Sequence, residues 1–189
     1  MSDVSYIPPL PRTELRAALR RNHAALDPSF RMLAEDLLGA GSTIDLVASD
    51  PAGRVALILI GDEGGDRELL TRGIAQRAWV MPRLRDWMQL APSLGLQLDA
   101  PVRLSLVCPA YAAETLAAAA ALGRDVVELF VYRCVQNGAS SSVLVERVGE
   151  ADVARQPPAA ATASQPPRFR SGLTEEDLNL TPLEVRDFR

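Results

Sequence analysis

Apolar residues recur along the first 149 positions with two different periods, and these periods predict where helices and strands lie. Residues 13–26 and 66–80 carry apolar side chains three or four positions apart, which is typical of amphipathic helices. The stripe predicted to face the core in the second helix consists of Leu70, Ile74, Ala78 and Met81. Pro82 interrupts that helix, and a short helical piece around Trp87 follows.

Two further helices are predicted from their end signals. One begins at Asp27-Pro28, because aspartate is a favourable N-cap and proline fits the first helical position. Its apolar face would hold Phe30, Leu33, Ala34, Leu37 and Leu38, with Gly39 and Gly41 ending the helix. The other is the alanine-rich stretch 112–122, which Gly123 stops.

Five segments have the pattern of β-strands, and two turns indicate how they connect. The predicted strands are residues 43–48, 54–60, 102–108, 126–134 and 142–148. Asp50-Pro51-Ala52-Gly53 favours a hairpin between the first two, and Asn137-Gly138 joins the last two. After Arg54, segment 54–60 is apolar throughout, as expected of a strand covered on both faces. The pattern predicts an α/β fold with a central mixed sheet flanked by helices.

The two ends of the chain differ in composition from the middle. Residues 1–11 contain three prolines and are predicted to be an extended lead-in to a domain of residues 12–149. Residues 150–172 are rich in proline and alanine, which is typical of a disordered linker. In the tail of residues 173–189, Thr181-Pro182-Leu183-Glu184 has the form of a capping box and predicts a short helix.

Composition limits the compartment and the chemistry. The 189 residues are 48% hydrophobic, without a continuous apolar run of about 18 residues or a secretory start, so we expect a cytoplasmic protein. The only histidine, His23, and the two cysteines, Cys108 and Cys134, are too few ligands for a metal site. We expect both cysteines to be reduced, buried thiols. All 20 basic residues are arginine, which excludes any mechanism that uses a lysine. The net charge of −4 weighs against strong nonspecific binding to nucleic acid.

Four short motifs suggest a family. They are Leu33-Ala34-Glu35-Asp36-Leu37-Leu38, Gly41-Ser42-Thr43-Ile44-Asp45-Leu46, the segment Gly53 to Gly61, and Arg77-Ala78-Trp79-Val80. In order and spacing, residues 28–134 resemble the PD-(D/E)XK superfamily of metal-dependent nucleases, especially its RecB-like members. The resemblance implies a restriction-endonuclease-like fold, with Asp45 at the position of a metal ligand and Glu35 at that of a helix glutamate.

The family's catalytic pattern is absent at its central positions. Metal-dependent phosphodiester hydrolysis needs at least two carboxylates on the ion and usually a lysine, which the family supplies as E-x-K on one strand. The matching positions here are Leu59 and Gly61, and the following helix carries Arg72 where the family has glutamine. The vestigial catalytic candidates are Glu35, Asp45, Asp62 and Gln76. We therefore expect no catalysis and no cofactor or metal, and Asp45 would be the ligand if there were one.

Three functions stay open at this stage. The first is a catalytically inactive scaffold or protein-interaction module, with the tail as a docking peptide. The apolar anchors of this peptide would be Leu178, Leu180, Leu183, Val185 and Phe188. The alternative is that the tail folds back on its own domain. The second is a nucleic-acid-binding domain that uses Arg72, Arg83, Arg85 and Trp87. The third is a divergent magnesium-dependent endonuclease with carboxylates relocated around Asp45, Glu35 and Asp62.

Overall fold

The computed structural model describes residues 4–138 and 140–149, which lie within one compact unit spanning Met1–Gln156. The strands are β1 Val4–Ile7, β2 Arg31–Leu38, β3 Thr43–Ser49, β4 Val55–Ile60, β5 Arg103–Cys108, β6 Val127–Asn137 and β7 Ser140–Arg147. The α-helices are α1 Arg12–Arg21, α2 Asp66–Val80, α3 Leu84–Leu90 and α4 Ala113–Leu122. Short 3-10 turns occupy His23–Ala25, Met81–Arg83 and Pro92–Leu94.

All seven strands belong to one mixed sheet. β2, β3 and β4 form an antiparallel meander, whereas β4, β5 and β6 run parallel to one another. The parallel connections pass through α2 and α3, and then through α4, as parallel strands require a crossover. β6 also pairs antiparallel with β1 and with β7. The predicted central mixed sheet with flanking helices is confirmed.

Each face of the sheet has its own apolar layer. Alternate residues of β4 point to opposite faces, so that Leu57 and Leu59 pack on the side of α2 while Ile58 and Ile60 pack on the side of α1. No residue of β4 is more than 1% exposed. The prediction of a strand covered on both faces is therefore confirmed for Val55–Ile60.

The helix predicted to start at Asp27-Pro28 is wrong, because Arg31–Leu38 is strand β2. Leu33, Ala34 and Leu37 do pack against the core, but a bulge between Met32 and Ala34 breaks the alternation of the strand. The bulge brings the apolar positions close to helical spacing, and pairing with β3 decides the conformation. This strand is also the first strand of the three-stranded meander. Had Arg31–Leu38 been a helix, residues 39–42 would have been too few to form that strand.

The apolar stripe predicted for α2 is only partly correct. Leu70 is buried, but Ile74 and Met81 are 42% and 43% exposed. The residues buried in this helix are Asp66, Leu69, Leu70, Gly73, Gln76 and Val80. The helix presents Gly73 to β5, where an added Cβ would lie 3.1 Å from Leu106 Cδ2. Close approach of the backbone at this glycine turns Ile74 outward.

The predicted turns and the end of α4 are confirmed, whereas the helix predicted within residues 13–26 is α1, which ends at Arg21 and is followed by a 3-10 turn. The β3–β4 hairpin forms, α4 ends at Gly123 with φ +82°, and Gly138, with φ +61°, lies between β6 and β7. Residues 1–11 are more than a lead-in, since Val4–Ile7 pairs with β6 as β1 and the sheet begins before residue 12.

Both cysteines are buried free thiols. In the described part of the chain, no helix is long and apolar enough to cross a membrane. The predicted linker and tail, residues 150–172 and 173–189, lie outside the described residues.

Candidate functional site

Asp45 is the centre of the polar cluster at the end of β4. Its side chain is 1% exposed and accepts a hydrogen bond from the backbone N–H of Ile60 at 2.8 Å. Arg12, the first residue of α1, donates Nε to Oδ1 and Nη2 to Oδ2, each at 2.8 Å. This two-pronged, charge-assisted pairing is the strong form of the arginine–carboxylate interaction. Both carboxylate oxygens of Asp45 are therefore occupied by protein donors.

A second guanidinium reaches the same place from α2. Arg72 donates Nη2 to the carbonyl oxygen of Ile60 at 2.9 Å, while its Nε is buried without a hydrogen-bond partner. Hydrogen bonding to Asp45 raises the pKa of Arg12. Burial lowers the pKa of Arg72, and the nearby positive charge of Arg12 lowers it further. Two arginines thus cover the oxygens of Asp45 and Ile60 that point into this site.

These residues do not fit a magnesium ion. Mg²⁺ requires oxygen ligands in near-octahedral geometry, and here the Asp45 oxygens already face a guanidinium. Within residues 4–138 and 140–149, no group of three or more His, Cys, Asp or Glu could hold a metal ion. Leu59 is fully buried in the core, and a Cβ on Gly61 would lie 2.8 Å from Leu69 Cδ2. Apolar packing therefore fills the space that the family's glutamate and lysine would need.

The structure does not bring the other acidic candidates together with Asp45 as ligands. Glu35 lies on β2, where it is half-exposed and forms an ion pair with Arg20 at 2.7 Å. Asp62 is exposed in the turn after β4, and its charge helps to raise the pKa of Arg12. Within the described residues, Asp45 and these carboxylates do not form a group of three or more His, Cys, Asp or Glu that could hold a metal ion.

Gln76 has a structural position inside the domain. Its carboxamide is fully buried, accepts from Ala40 N–H at 2.9 Å and donates to Ser42 O and Oγ at 3.0 and 2.6 Å. An added Cβ on Gly39 would lie 1.8 Å from Gln76 Oε1. Gln76 therefore holds the β2–β3 turn, and the glycine of that turn makes room for it.

The four residues predicted to contact nucleic acid lie in different surroundings. Arg72 contacts Ile60, as described. Arg83 stacks on the ring of Trp79 at 4.1 Å and donates to its carbonyl oxygen, while Trp87 packs against the core. Arg85 is exposed on α3. The five predicted partner-binding residues of the tail lie outside the described residues.

Sequence reasoning missed Arg12. A lone arginine after a proline gives no sign of its partner, because Asp45 is 33 positions away along the chain. Only the packing of α1 across the sheet brings the two together. Two features of the sequence indicate that an arginine would balance the negative charge of Asp45. Asp45 is retained at the metal-ligand position of the family, and the chain contains no lysine.

Comparison with known proteins gives two distant structural similarities. No family model and no curated protein match the chain. A crystal structure of a repair endonuclease from Pyrococcus abyssi is similar at 11% identity and a TM-score of 0.43, over 66% of this chain and 48% of that one. A structure of an EndoMS–dsDNA2 complex is similar at 16% identity and a TM-score of 0.41, over 64% and 45%. The chain spans about half the length of both.

The order of elements gives the fold independently of those similarities. α1, the antiparallel meander β2–β3–β4, α2, α3, β5, α4 and β6 follow one another along the chain, and the motif Leu33 to Leu38, predicted as a helix, lies on strand β2. Asp45 lies on the middle strand of the meander, next to the end of β4. The described residues form an α/β fold in which helices flank one open, mixed sheet.

Proposed function

We propose that this domain does not cleave phosphodiesters by a metal-dependent route and serves instead as a scaffold or protein-interaction module. The paired hydrogen bonds from Arg12 to Asp45 are the observation that carries the first half of the proposal. A cation could bind Asp45 only by displacing this guanidinium from a carboxylate that is 1% exposed. The fully buried Leu59 supplies no second ligand.

The outer surface of α2 supports the second half. Ile74, Ala78 and Met81 are exposed and follow one another at helical spacing, so they lie along one side of the helix. We call these three residues the α2 stripe. Leu90 on α3 is 85% exposed as well. Large exposed apolar side chains favour contacts with another protein, whereas the acidic balance of the chain disfavours nonspecific binding of nucleic acid.

The tail belongs to the same proposal. Residues 173–189 would act as a docking peptide for a partner, with Leu178, Leu180, Leu183, Val185 and Phe188 as its apolar anchors. Deletion of residues 150–189 tests this role. Loss of the partner at an unchanged melting temperature supports docking, and a lowered melting temperature supports a tail that folds back.

The test of hydrolysis uses the purified full chain. We expect no cleavage of labelled single-stranded or duplex DNA with Mg²⁺ or Mn²⁺ above the level of an Asp45→Ala variant. Cleavage by the wild type that disappears in Asp45→Ala would establish a divergent nuclease and overturn the proposal. An Arg12→Ala variant, in which the carboxylate is released, shows whether the arginine alone prevents the reaction.

The test of protein contact compares surface variants. A double change of Ile74→Asp and Met81→Asp introduces two charges into the α2 stripe, and Leu144→Asp on β7, 48% exposed, is the matched control. We expect proteins captured by the wild type to be retained by the control and lost by the double variant. Equal capture by both variants would remove the α2 stripe as an interface.

A further inference from the structure

Arg72 carries a charge that the described residues do not neutralise directly. Its side chain is half-buried, and within residues 4–138 and 140–149 it forms no ion pair with a carboxylate. Its Nε is buried without any hydrogen-bond partner. Taking a cation out of water is costly unless it gains a counter-charge. A buried donor without a partner calls for an explanation, and an ordered water, an ion or another bound group that accepts from it is one.

Arg12 adds a second guanidinium near Arg72, since Arg12 binds the carboxylate that accepts from Ile60 N–H and Arg72 donates to the carbonyl oxygen of the same residue. The positive charge of Arg12 contributes to the lowered pKa of Arg72. Arg12 pairs with Asp45 through Nε and Nη2, so its third nitrogen, Nη1, takes no part in that pair. The Arg12 side chain is 36% exposed, which leaves this part of the cluster open to solvent. An incoming group would meet two arginines from two helices.

The remaining charges around the pair do not cancel it at close range. Asp45 is the only carboxylate among the described residues that hydrogen-bonds either arginine. Asp45, Glu68 and Asp62 attract Arg72 without a hydrogen bond to it, and Asp62 and Asp36 attract Arg12 in the same way. Glu68, Asp62 and Asp36 are exposed, so solvent and salt weaken their effect. In direct contact, the two guanidiniums have one carboxylate, that of Asp45, and Arg12 uses both of its oxygens.

We propose that Arg72 and Arg12 form a binding site for one phosphate group at the end of β4. A guanidinium recognises phosphate through parallel N–H donors and stays charged at every physiological pH. The phosphate would supply the negative charge that Arg72 lacks. The site would thus hold an anion at the place where the family resemblance implies a cation. This inference goes beyond the proposed scaffold role and does not depend on it.

The first experiment measures the melting temperature of the full chain with and without inorganic phosphate, against sodium chloride of matched ionic strength. Arg72→Gln removes the charge, and Arg85→Gln removes an exposed arginine of α3 as the matched control. We expect phosphate to raise the melting temperature of the wild type and the control and to leave Arg72→Gln unchanged. An equal rise in all three proteins, or no rise in the wild type, would overturn the proposal.

The second experiment distinguishes the sources of the phosphate. A labelled single-stranded oligonucleotide with and without a 5′-phosphate is titrated at low salt, and inorganic phosphate competes. Preference for the phosphorylated end indicates a terminal phosphate, whereas equal binding that phosphate displaces indicates the backbone. In either case Arg72→Gln should weaken binding at least about tenfold, since bidentate charge-assisted contacts are the strong ones. Arg72→Lys keeps the positive charge but lacks the paired N–H donors of the guanidinium, so its affinity for the oligonucleotide should lie between those of the wild type and Arg72→Gln. Equal weakening by Arg85→Gln would mean nonspecific attraction.

Discussion

Removal of Arg12 is the most informative single perturbation, because Asp45 would stay buried without its counter-charge. In Arg12→Ala the carboxylate keeps only the hydrogen bond from Ile60 and loses two charge-assisted ones. Breaking a buried ion pair by removing one partner costs about 3–5 kcal/mol. Arg12 is 36% exposed, so water can enter the vacated space and reduce that cost. We expect the free energy of unfolding to fall by about 2–3 kcal/mol.

Replacing the other partner, Asp45, should lower the free energy of unfolding by less. In Asp45→Asn, the remaining Arg12 can be hydrated where it is exposed, and the amide oxygen can still accept from Ile60. A loss of about 1–2 kcal/mol follows from the hydrogen bonds that are weakened. The double variant should be less destabilised than the sum of the two single changes by about 1 kcal/mol or more, since both act on one interaction.

Urea denaturation, followed by the fluorescence of the two tryptophans, measures the free energy of unfolding of each variant. Equal m-values, the slopes of this free energy against urea concentration, indicate that the variants unfold by the same transition. Arg20→Ala is the control, because it breaks an ion pair with Glu35 in which both side chains are about half-exposed. Such a surface pair contributes about 0–1 kcal/mol. If Arg12→Ala is no more destabilising than Arg20→Ala, the buried Asp45 carboxylate does not depend on Arg12. Arg12 would then not be what keeps a metal ion from Asp45.

Three further predictions follow from particular positions. Leu59→Glu with Gly61→Lys, which restores the family pattern, should unfold the domain rather than confer hydrolysis, because both positions lie in the core; a folded, DNA-cleaving variant would refute this. Gly39→Ala should destabilise by about 1–3 kcal/mol, because the added methyl group overlaps the buried side chain of Gln76 on α2, and Gly41→Ala, with φ +69° and open space, by about 1 kcal/mol, both measured in urea. Burial raises the pKa of Asp66, but hydrogen bonds including that from the Ala112 N–H outweigh it, so the net pKa is lowered. The stability it contributes is therefore present above the unfolded value and lost as pH falls below about 4, and Asp66→Asn should flatten that acid limb in a series of melts; an unchanged limb would contradict the assignment.

The sequence determined the parts of this protein that depend on neighbours along the chain. Residues 55–60 are apolar without interruption, so the strand had to be covered on both faces, and Asp50-Pro51-Ala52-Gly53 closes a hairpin by its own backbone preferences. The absence of lysine and of the E-x-K carboxylate is likewise visible without coordinates.

Tertiary structure decided what depends on distant partners. Arg31–Leu38 has apolar spacing compatible with a helix, and pairing with β3 makes it a strand. Gly73 lets α2 approach β5, which turns Ile74 to the solvent. Arg12 meets Asp45 only because α1 crosses the sheet. Local propensities differ by fractions of a kcal/mol per residue, whereas strand pairing and burial of a charge involve several, so the long-range contacts prevail wherever the two disagree.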